Sequence, residues 1–585
     1  MAGASDPGVR LVRTCARELE ETMADNDTAD ILIIGSGASG GVFAWHLSKI
    51  PGIKIVCLEQ GSWSQPVAGV AESQPAPHPE AAAQRERLTR PPAPREGVRA
   101  WKNGYPYDFS DSYWKPILAN NVGGASVHYG AVWSRYHPVD FVAKSMDGLG
   151  DDWPLTYWDL APYYDQLDDI VGVTGLSGDP AHPPNKARWM KPYPLSQGAE
   201  ILSRGFKKQG WHWWPLTSAT ITQPLRGRKP CPTNCEACDE GCPREAKNSS
   251  DVVFWPEAIR NGVALKTNAR VREVTLNKKG LADGALYYDA DGKLTRQKAR
   301  IVVLAANGFG TPRIMLNSKS NKFPQGLANG SGLVGKNLMA HPMMMVAAQF
   351  DENTAPRQYA STGMVSDEFY EGDASRRGFA RGFWHMSGGF TGPVRAALNE
   401  QPSARATVVP AALKVGPRGG IEWGALHRAA FQERYNHTVA TFILFEELAM
   451  ESNYLELDPS ITDEVGVPGL KLHFKKSENL EKMMGFAAER TKEAMMAAGA
   501  KKIVNVSMMA EGGAYHLMGT ARMGNNPSTS VVNKWGRSHE VKNLFVIDGS
   551  VFVSAGPTVV TSTLQTIALR IADYVKDNHQ DLLKT

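Results

Sequence analysis

The first strongly apolar run in the chain, Ile31 to Ile34, breaks at once into glycines in the stretch DILIIGSGASGGVFAWHL. This pattern predicts a short buried strand, a tight turn and a helix opening at Gly41. A second apolar run, IKIVCLEQG, predicts another strand, ending at Glu59. Val302 to Leu304 is a β-branched run closing on small residues and Gly308, as a strand entering a crevice should be. Near the C-terminus, LQTIALRIADYV sets Ile567, Ile571 and Tyr574 or Val575 on one helical stripe. The hydroxyls of Thr561, Ser562 and Thr563 just before it predict helix caps. Between Gln65 and Arg99 the chain turns rich in Pro, Ala and charge, which predicts a surface excursion or lid.

Composition narrows the class. A chain of 585 residues exceeds one ordinary core, so two or more structural units are expected, with interior enough for a large cofactor. Hydrophobic residues make up 42% and charged residues 21%, the balance of a folded globular protein rather than a disordered one. The net charge of +4 is small for this size, and no basic tract with interleaved aromatics appears, so nucleic acid is not an expected partner. Residues 1–27 form a polar leader without an apolar signal core, and no window holds about 18 uninterrupted apolar residues. No membrane span is expected. The location expected is cytoplasmic, or periplasmic if the chain is exported with a signal-bearing partner.

The strand, the glycines Gly35, Gly37 and Gly40, the helix, and Glu59 nineteen residues past Gly40 together form the dinucleotide-binding pattern. Each part has a task. Gly35 permits the tight turn, Gly37 lets backbone approach a pyrophosphate, Gly40 lets helix pack on strand, and Glu59 can accept ribose hydroxyl protons. An ADP moiety is implied, and the pattern does not choose between NAD and FAD.

Four further stretches resemble the glucose-methanol-choline (GMC) family of FAD-dependent oxidoreductases. They are NVGGASVHYGAVWSRYHPVDF (Asn121 to Phe141), VVLAANGFGTPRIMLNS (Val302 to Ser318) with GLVGKNLMAHP (Gly332 to Pro342), YHLMGTARMG (Tyr515 to Gly524), and NLFVIDGSVF (Asn543 to Phe552). The resemblance implies an α/β fold, α+β overall: a Rossmann-like FAD-binding domain of discontinuous segments, 28–150, 243–345 and 505–585. A substrate domain of antiparallel sheet and helices would take 151–230 and 346–504, with a cysteine segment at 231–242. Carried over as FAD contacts are Gly123, Ser126, His128, Val271, Asp548 and Ser562. His128 sits where some members attach FAD covalently. Because Val127 and Tyr129 depart from that subgroup, non-covalent FAD is expected, with His128 packing against the isoalloxazine.

Oxidising an alcohol with a flavin removes a hydroxyl proton and a hydride from one carbon, so a base must stand beside the substrate. His516 falls where the family keeps its catalytic histidine. The family usually adds a second His or Asn before the final helix, but the matching position here is Val559, which makes no hydrogen bond. Either Thr558 or Thr561 replaces it, a loop shift brings in another group, or His516 works alone.

Four of the six cysteines, Cys231, Cys235, Cys238 and Cys242, fall within CPTNCEACDEGCP. This crowding points to metal or redox chemistry rather than to a distributed disulfide framework. Zinc would staple the segment; an iron-sulfur cluster, [3Fe-4S] or [4Fe-4S], would relay single electrons. With a flavin in the same chain, the cluster is the favoured reading. Sugar dehydrogenases of the family that carry FAD and an iron-sulfur cluster are the nearest resemblance. The function expected is therefore dehydrogenation of a hydroxyl of a sugar, glycoside or related alcohol. The acceptor would be a cytochrome, quinone or dye, and a small partner subunit is compatible with this. An oxidase with structural zinc, a lyase or isomerase using FAD as scaffold, and a non-catalytic electron-transfer subunit are the alternatives. For the substrate pocket, GWHWWPLT (Gly210 to Thr217) offers Trp211, Trp213 and Trp214, and GFARGFWHMSGG offers Trp384 and His385.

Overall fold

The computed structural model describes residues 28–63, 98–99, 106–232, 242, 244–354, 362–387, 425–509 and 516–584. The polar leader, most of the Pro-rich excursion, and Cys235 and Cys238 lie outside these residues.

The glycine-broken apolar runs form the centre of a seven-stranded sheet. Its labelled strands are β1 (Ala29–Ile34), β2 (Ile55–Leu58), β3 (Ala264–Lys266), β4 (Arg270–Leu276), β5 (Ala282–Tyr288), β6 (Leu294–Leu304) and β7 (Leu544–Val546). The order is β3-β2-β1-β6-β5-β4, with β7 beside β6. β1 runs parallel to both β2 and β6, in the register Ile31 to Ile55 and Ile31 to Ile301. Both faces of this parallel core are covered, so its strands read as continuous apolar runs rather than alternating ones. Val302 to Leu304 is the buried end of the longer strand β6, whose first half pairs antiparallel with β5.

Helix α1 (Ala38–Leu47) starts three residues before the expected Gly41, because Gly37 already takes the N-cap position. Helix α2 (Asn307–Asn317) follows β6, and helix α3 (Thr561–Leu582) packs across α1. The stripe predicted in α3 is buried at Ile567, Ile571 and Val575. The predicted hydroxyl caps do not form. The helix begins at Thr561 with Val560 as N-cap, so the three hydroxyl residues lie inside the first turn; Thr563 bonds instead to the Tyr164 hydroxyl at 2.6 Å.

A second sheet of six antiparallel strands orders Lys502–Met509, Met343–Gln349, Thr438–Phe445, Phe383–Ser387, Met364–Ser366 and Trp214–Pro215. One face packs on the helices Gln197–Lys208 and Glu478–Ala497. The other carries Val132, Leu216, Val365, Trp384 and Val559 in one apolar cluster. Strand alternation therefore separates two residues expected to share the pocket. Trp384 faces this cluster, whereas His385 turns to the helix side, bonds Thr491 at 2.9 Å and is held neutral by burial, its pKa down to about 3. A smaller sheet joins Tyr454–Thr462, Pro468–Phe474, Tyr107–Ser112 and Val98–Arg99. Among the described residues, no helix is long and apolar enough to cross a membrane.

Candidate active site

The C-terminal ends of β1, β2 and β6 open onto a cleft of about 1110 Å³, its mouth included. This is where an open parallel sheet binds its ligand. Gly35, at φ +103°, could take no side chain, since a Cβ would stand 2.4 Å from the Ala305 carbonyl oxygen. A Cβ on Gly40 would lie 2.1 Å from the Gly35 oxygen, so this glycine sets the helix against the strand. Gly37 borders open space. It faces the cleft at the start of α1, where no side chain caps the helix, leaving its terminus to a phosphate.

Glu59 lines the same cleft and is nearly buried. Its Oε2 accepts from the Ser36 amide (2.9 Å) and hydroxyl (2.7 Å), and its Oε1 from the Gly61 amide at 2.8 Å. Burial raises its pKa and these bonds oppose the rise. A carboxylate has about four lone-pair sites, and these bonds engage most of them. Asp548 and Val271 also line the cleft, and Asp548 is tied down by Ser550 (2.9 Å from its amide) and by Thr311 at 2.5 Å.

Other expected contacts stand one layer back. Gly123 donates its amide to the Ser36 carbonyl, and Ser126 accepts from the Ser250 amide at 2.9 Å, so both brace the wall that Gly124 and Ala125 present to the cleft. His128 is buried at the end of that turn, its amide bonded to Ala125. Ser562 is buried in the first turn of α3, behind the cleft-lining Val560 and Leu564.

His516 has a partner that the sequence reading did not weigh. Met339 and Met518 form an antiparallel bridge, exchanging backbone bonds of 2.9 and 3.1 Å. Two residues further along each segment, His341 and His516 stand opposite one another, where cross-strand side chains meet. Their Nδ1 atoms are 2.8 Å apart and their rings cross at 87°. His341 Nε2 lies 2.6 Å from the Gly556 carbonyl oxygen and 3.2 Å from that of Ala555. Carbonyls only accept, so His341 carries its proton on Nε2 and presents a bare Nδ1. His516 must then donate from Nδ1, which leaves its Nε2 an open lone pair. Burial holds His341 neutral, its pKa down to about 4, and burial together with His341 lowers that of His516 well below the usual imidazole range. Such a pair can act as a base, since one ring nitrogen is left with an open lone pair. The sequence signal was a histidine closing the apolar stretch NLMAHP.

Leu517 and Met518, next to His516, line the cleft, as does Val560. Val559 turns the other way, into the apolar cluster with Trp384 and Val132. The Thr558 hydroxyl is buried without a hydrogen-bond partner, and Thr561 starts α3. His341, from a different segment, has both ring nitrogens engaged, one with His516 and one with the Gly556 and Ala555 carbonyls, so it supports His516 rather than replacing the second polar group. Trp211 packs into the helix-side core against Phe206 and Phe369, away from this wall.

Cys231 and Cys242 both pack against Met190, Ile221 and Ala246 and form no disulfide. The chain after Cys242 returns to the cleft wall: Lys247 donates to the Val127 carbonyl at 2.6 Å, and the Ser250 hydroxyl to that of Gly37 at 3.2 Å.

Residues 115–343 and 450–568 match two family models described as GMC oxidoreductase. The chain is 36% identical to 2-methyl-1,2-propanediol dehydrogenase of Mycolicibacterium austroafricanum, over 95% of this chain and 97% of that protein. It is 27% identical to the fructose dehydrogenase large subunit of Gluconobacter japonicus, over 94% and 98%. Its fold resembles a solved variant of the formate oxidase of Aspergillus oryzae, with TM-score 0.63 at 15% identity over 96% of this chain and all of that one.

Proposed function

Because the chain belongs to the GMC oxidoreductase family, acting on CH–OH groups, we propose that it is an FAD-dependent dehydrogenase of a sugar, glycoside or related alcohol. FAD, when bound in the cleft, supplies the hydride acceptor. The donor set fits it: an uncapped helix start at Gly37, with Glu59 and Asp548 on the cleft lining. His516 Nε2 takes the hydroxyl proton of the substrate, and His341 holds His516 in the tautomer that makes this possible. The imidazolium formed keeps its Nδ1–H on His341, so no bond is broken while the charge develops.

The substrate lies between that pair and the apolar wall of Val559, Val365 and Trp384. Such a wall suits the C–H surface of a sugar ring or of a compact branched alcohol. The resemblance to a diol dehydrogenase and to a fructose dehydrogenase large subunit supports this substrate class.

Cys231, Cys235, Cys238 and Cys242 would hold a cluster of the [3Fe-4S] or [4Fe-4S] kind, with a cytochrome, quinone or dye as the acceptor beyond it. A cluster would supply one-electron transfer. Two observations support it: Cys231 and Cys242 pack against one small apolar patch, and the segment after Cys242 is bonded to the cleft wall.

The histidine pair carries the proposal. Anaerobic mixing with a panel of vicinal diols and sugars should bleach the flavin, and His516→Ala should slow that bleaching by about 10²-fold or more, the scale of a lost general base. Substrate turnover with no bleaching places the chain among the lyases. Stoichiometric hydrogen peroxide in air makes it an oxidase. Unchanged bleaching in His516→Ala removes His516 from the chemistry.

A further inference from the structure

Beside the apolar wall, three separate segments deliver histidines and a carboxylate to one spot that the alcohol chemistry does not use. His137 lies near the end of the glycine-rich signature segment, His182 lies in the loop before the helix Gln197–Lys208, and Asp367 follows the strand Met364–Ser366. His137 Nε2, His182 Nε2 and a carboxylate oxygen of Asp367 all lie within 4.8 Å of one another. His137 Nε2 is 3.5 Å from Asp367 Oδ1, and His182 Nε2 is 3.8 Å from the same oxygen.

The separations are long for hydrogen bonds, and 3.5 Å falls inside, 3.8 Å just beyond, the spacing of ligands on one ion. Two atoms bound at about 2.0–2.2 Å to one tetrahedral ion stand roughly 3.3–3.6 Å apart. The Asp367 oxygens and His137 Nε2 make no hydrogen bond of ordinary length, their mutual contact being 3.5 Å, although these side chains are only 1% and 4% exposed. A buried carboxylate without hydrogen bonds is expensive, and among the described residues its ion-pair neighbours are three histidines, with no lysine or arginine. A divalent cation would satisfy all three atoms at once.

The rings are also held in place. His137 stacks on Tyr370 with centroids 3.7 Å apart, while its amide donates to Asp140 at 2.7 Å. The third histidine acts as a support. His212 Nδ1 accepts the Asp367 amide at 3.1 Å, so its Nε2–H donates to Asp179 at 2.8 Å, and both nitrogens are engaged. That excludes the alternative set of Asp179, His212 and Asp367, and gives Asp367 a bracing neighbour of the kind ligands need. The outer edge of His182 lines a second cavity with Asp179, Trp214 and Trp384, so a fourth coordination position opens there to water.

We propose that His137, His182 and Asp367 bind a first-row divalent transition-metal ion, independent of the cysteine segment. Two imidazoles and one carboxylate suit zinc or ferrous iron and disfavour calcium or magnesium. The ion ties the signature segment, the His182 loop and an edge of the second sheet into one wall beside the substrate space.

Zinc is the probe. Flavin-loaded protein is stripped with a chelator, given zinc chloride, desalted, and assayed for zinc per flavin by elemental analysis and for its shell by zinc-edge X-ray absorption. Wild type should regain about one zinc with a nitrogen and oxygen shell at roughly 2.0–2.2 Å, distinct from thiolate zinc at about 2.3 Å. His182→Ala and Asp367→Asn should each lose that zinc while keeping flavin. Zinc uptake by wild type that persists in both variants overturns the site, as does a sulfur-only shell or no uptake by folded wild type. If a variant fails to hold flavin, the wild-type uptake and shell alone decide.

Discussion

Replacing His341 by leucine removes an acceptor from His516 Nδ1 and a donor from the Gly556 and Ala555 carbonyls, while keeping a buried side chain in place. Each buried polar group left without a partner costs about 1–3 kcal/mol, and His516 also loses the contact that fixes its tautomer. If 1–3 kcal/mol of that loss falls on the reactive arrangement, flavin reduction slows by roughly 5- to 150-fold at saturating substrate. The pH profile should move too. His516 owes its low pKa first to burial, and losing its buried partner should displace the acid limb of flavin reduction from that of wild type. His341→Gln is the companion variant: its amide oxygen accepts from His516 and its NH₂ donates to the two carbonyls, so it should recover most of the rate. Stopped-flow reduction measured across pH for the three proteins is the assay. A leucine variant with the wild-type rate and acid limb, or a glutamine variant no better than leucine, would refute the tautomer argument.

Acid stability offers a separate check on His341. Its folded pKa of about 4 lies below the unfolded 6.5, so the unfolded chain binds more protons as pH falls. Stability from this residue is complete above about pH 6.5 and declines by roughly 3 kcal/mol in all as pH falls toward 4; denaturant titrations of wild type and His341→Gln should converge there, and parallel curves would exclude it. Gly35→Ala meets both the Ala305 oxygen and a left-handed φ, so purified protein should lose most of its flavin, which an absorbance ratio reads directly. Trp384→Ala should raise KM for bulky alcohols several-fold with little change in flavin content if the proposed substrate space is bounded by the apolar cluster that holds Trp384. Cys238→Ser should remove iron and acid-labile sulfide but leave anaerobic bleaching intact; retained sulfide would point away from the cysteine cluster.

Local patterns carried the nucleotide-binding half of the molecule. The apolar runs around Gly35 and Glu59 are buried on both faces of the sheet, and glycine at positive φ beside a strand end has few other uses, so strand, turn and carboxylate were legible one after another. The stripe of α3 was legible for the same reason, as its period is local. What the linear order hid were meetings between distant segments. His341 and His516 lie 175 residues apart and face each other through a single two-strand bridge. His137, His182 and Asp367 come from three segments that no periodicity connects. Which ring nitrogen carries a proton, and which buried polar atoms come within reach of one another, depend on a few tenths of an ångström between side chains. Hydrophobic patterning says which face of a strand is buried, whereas packing of whole layers sets which buried polar atoms end up in reach of one another.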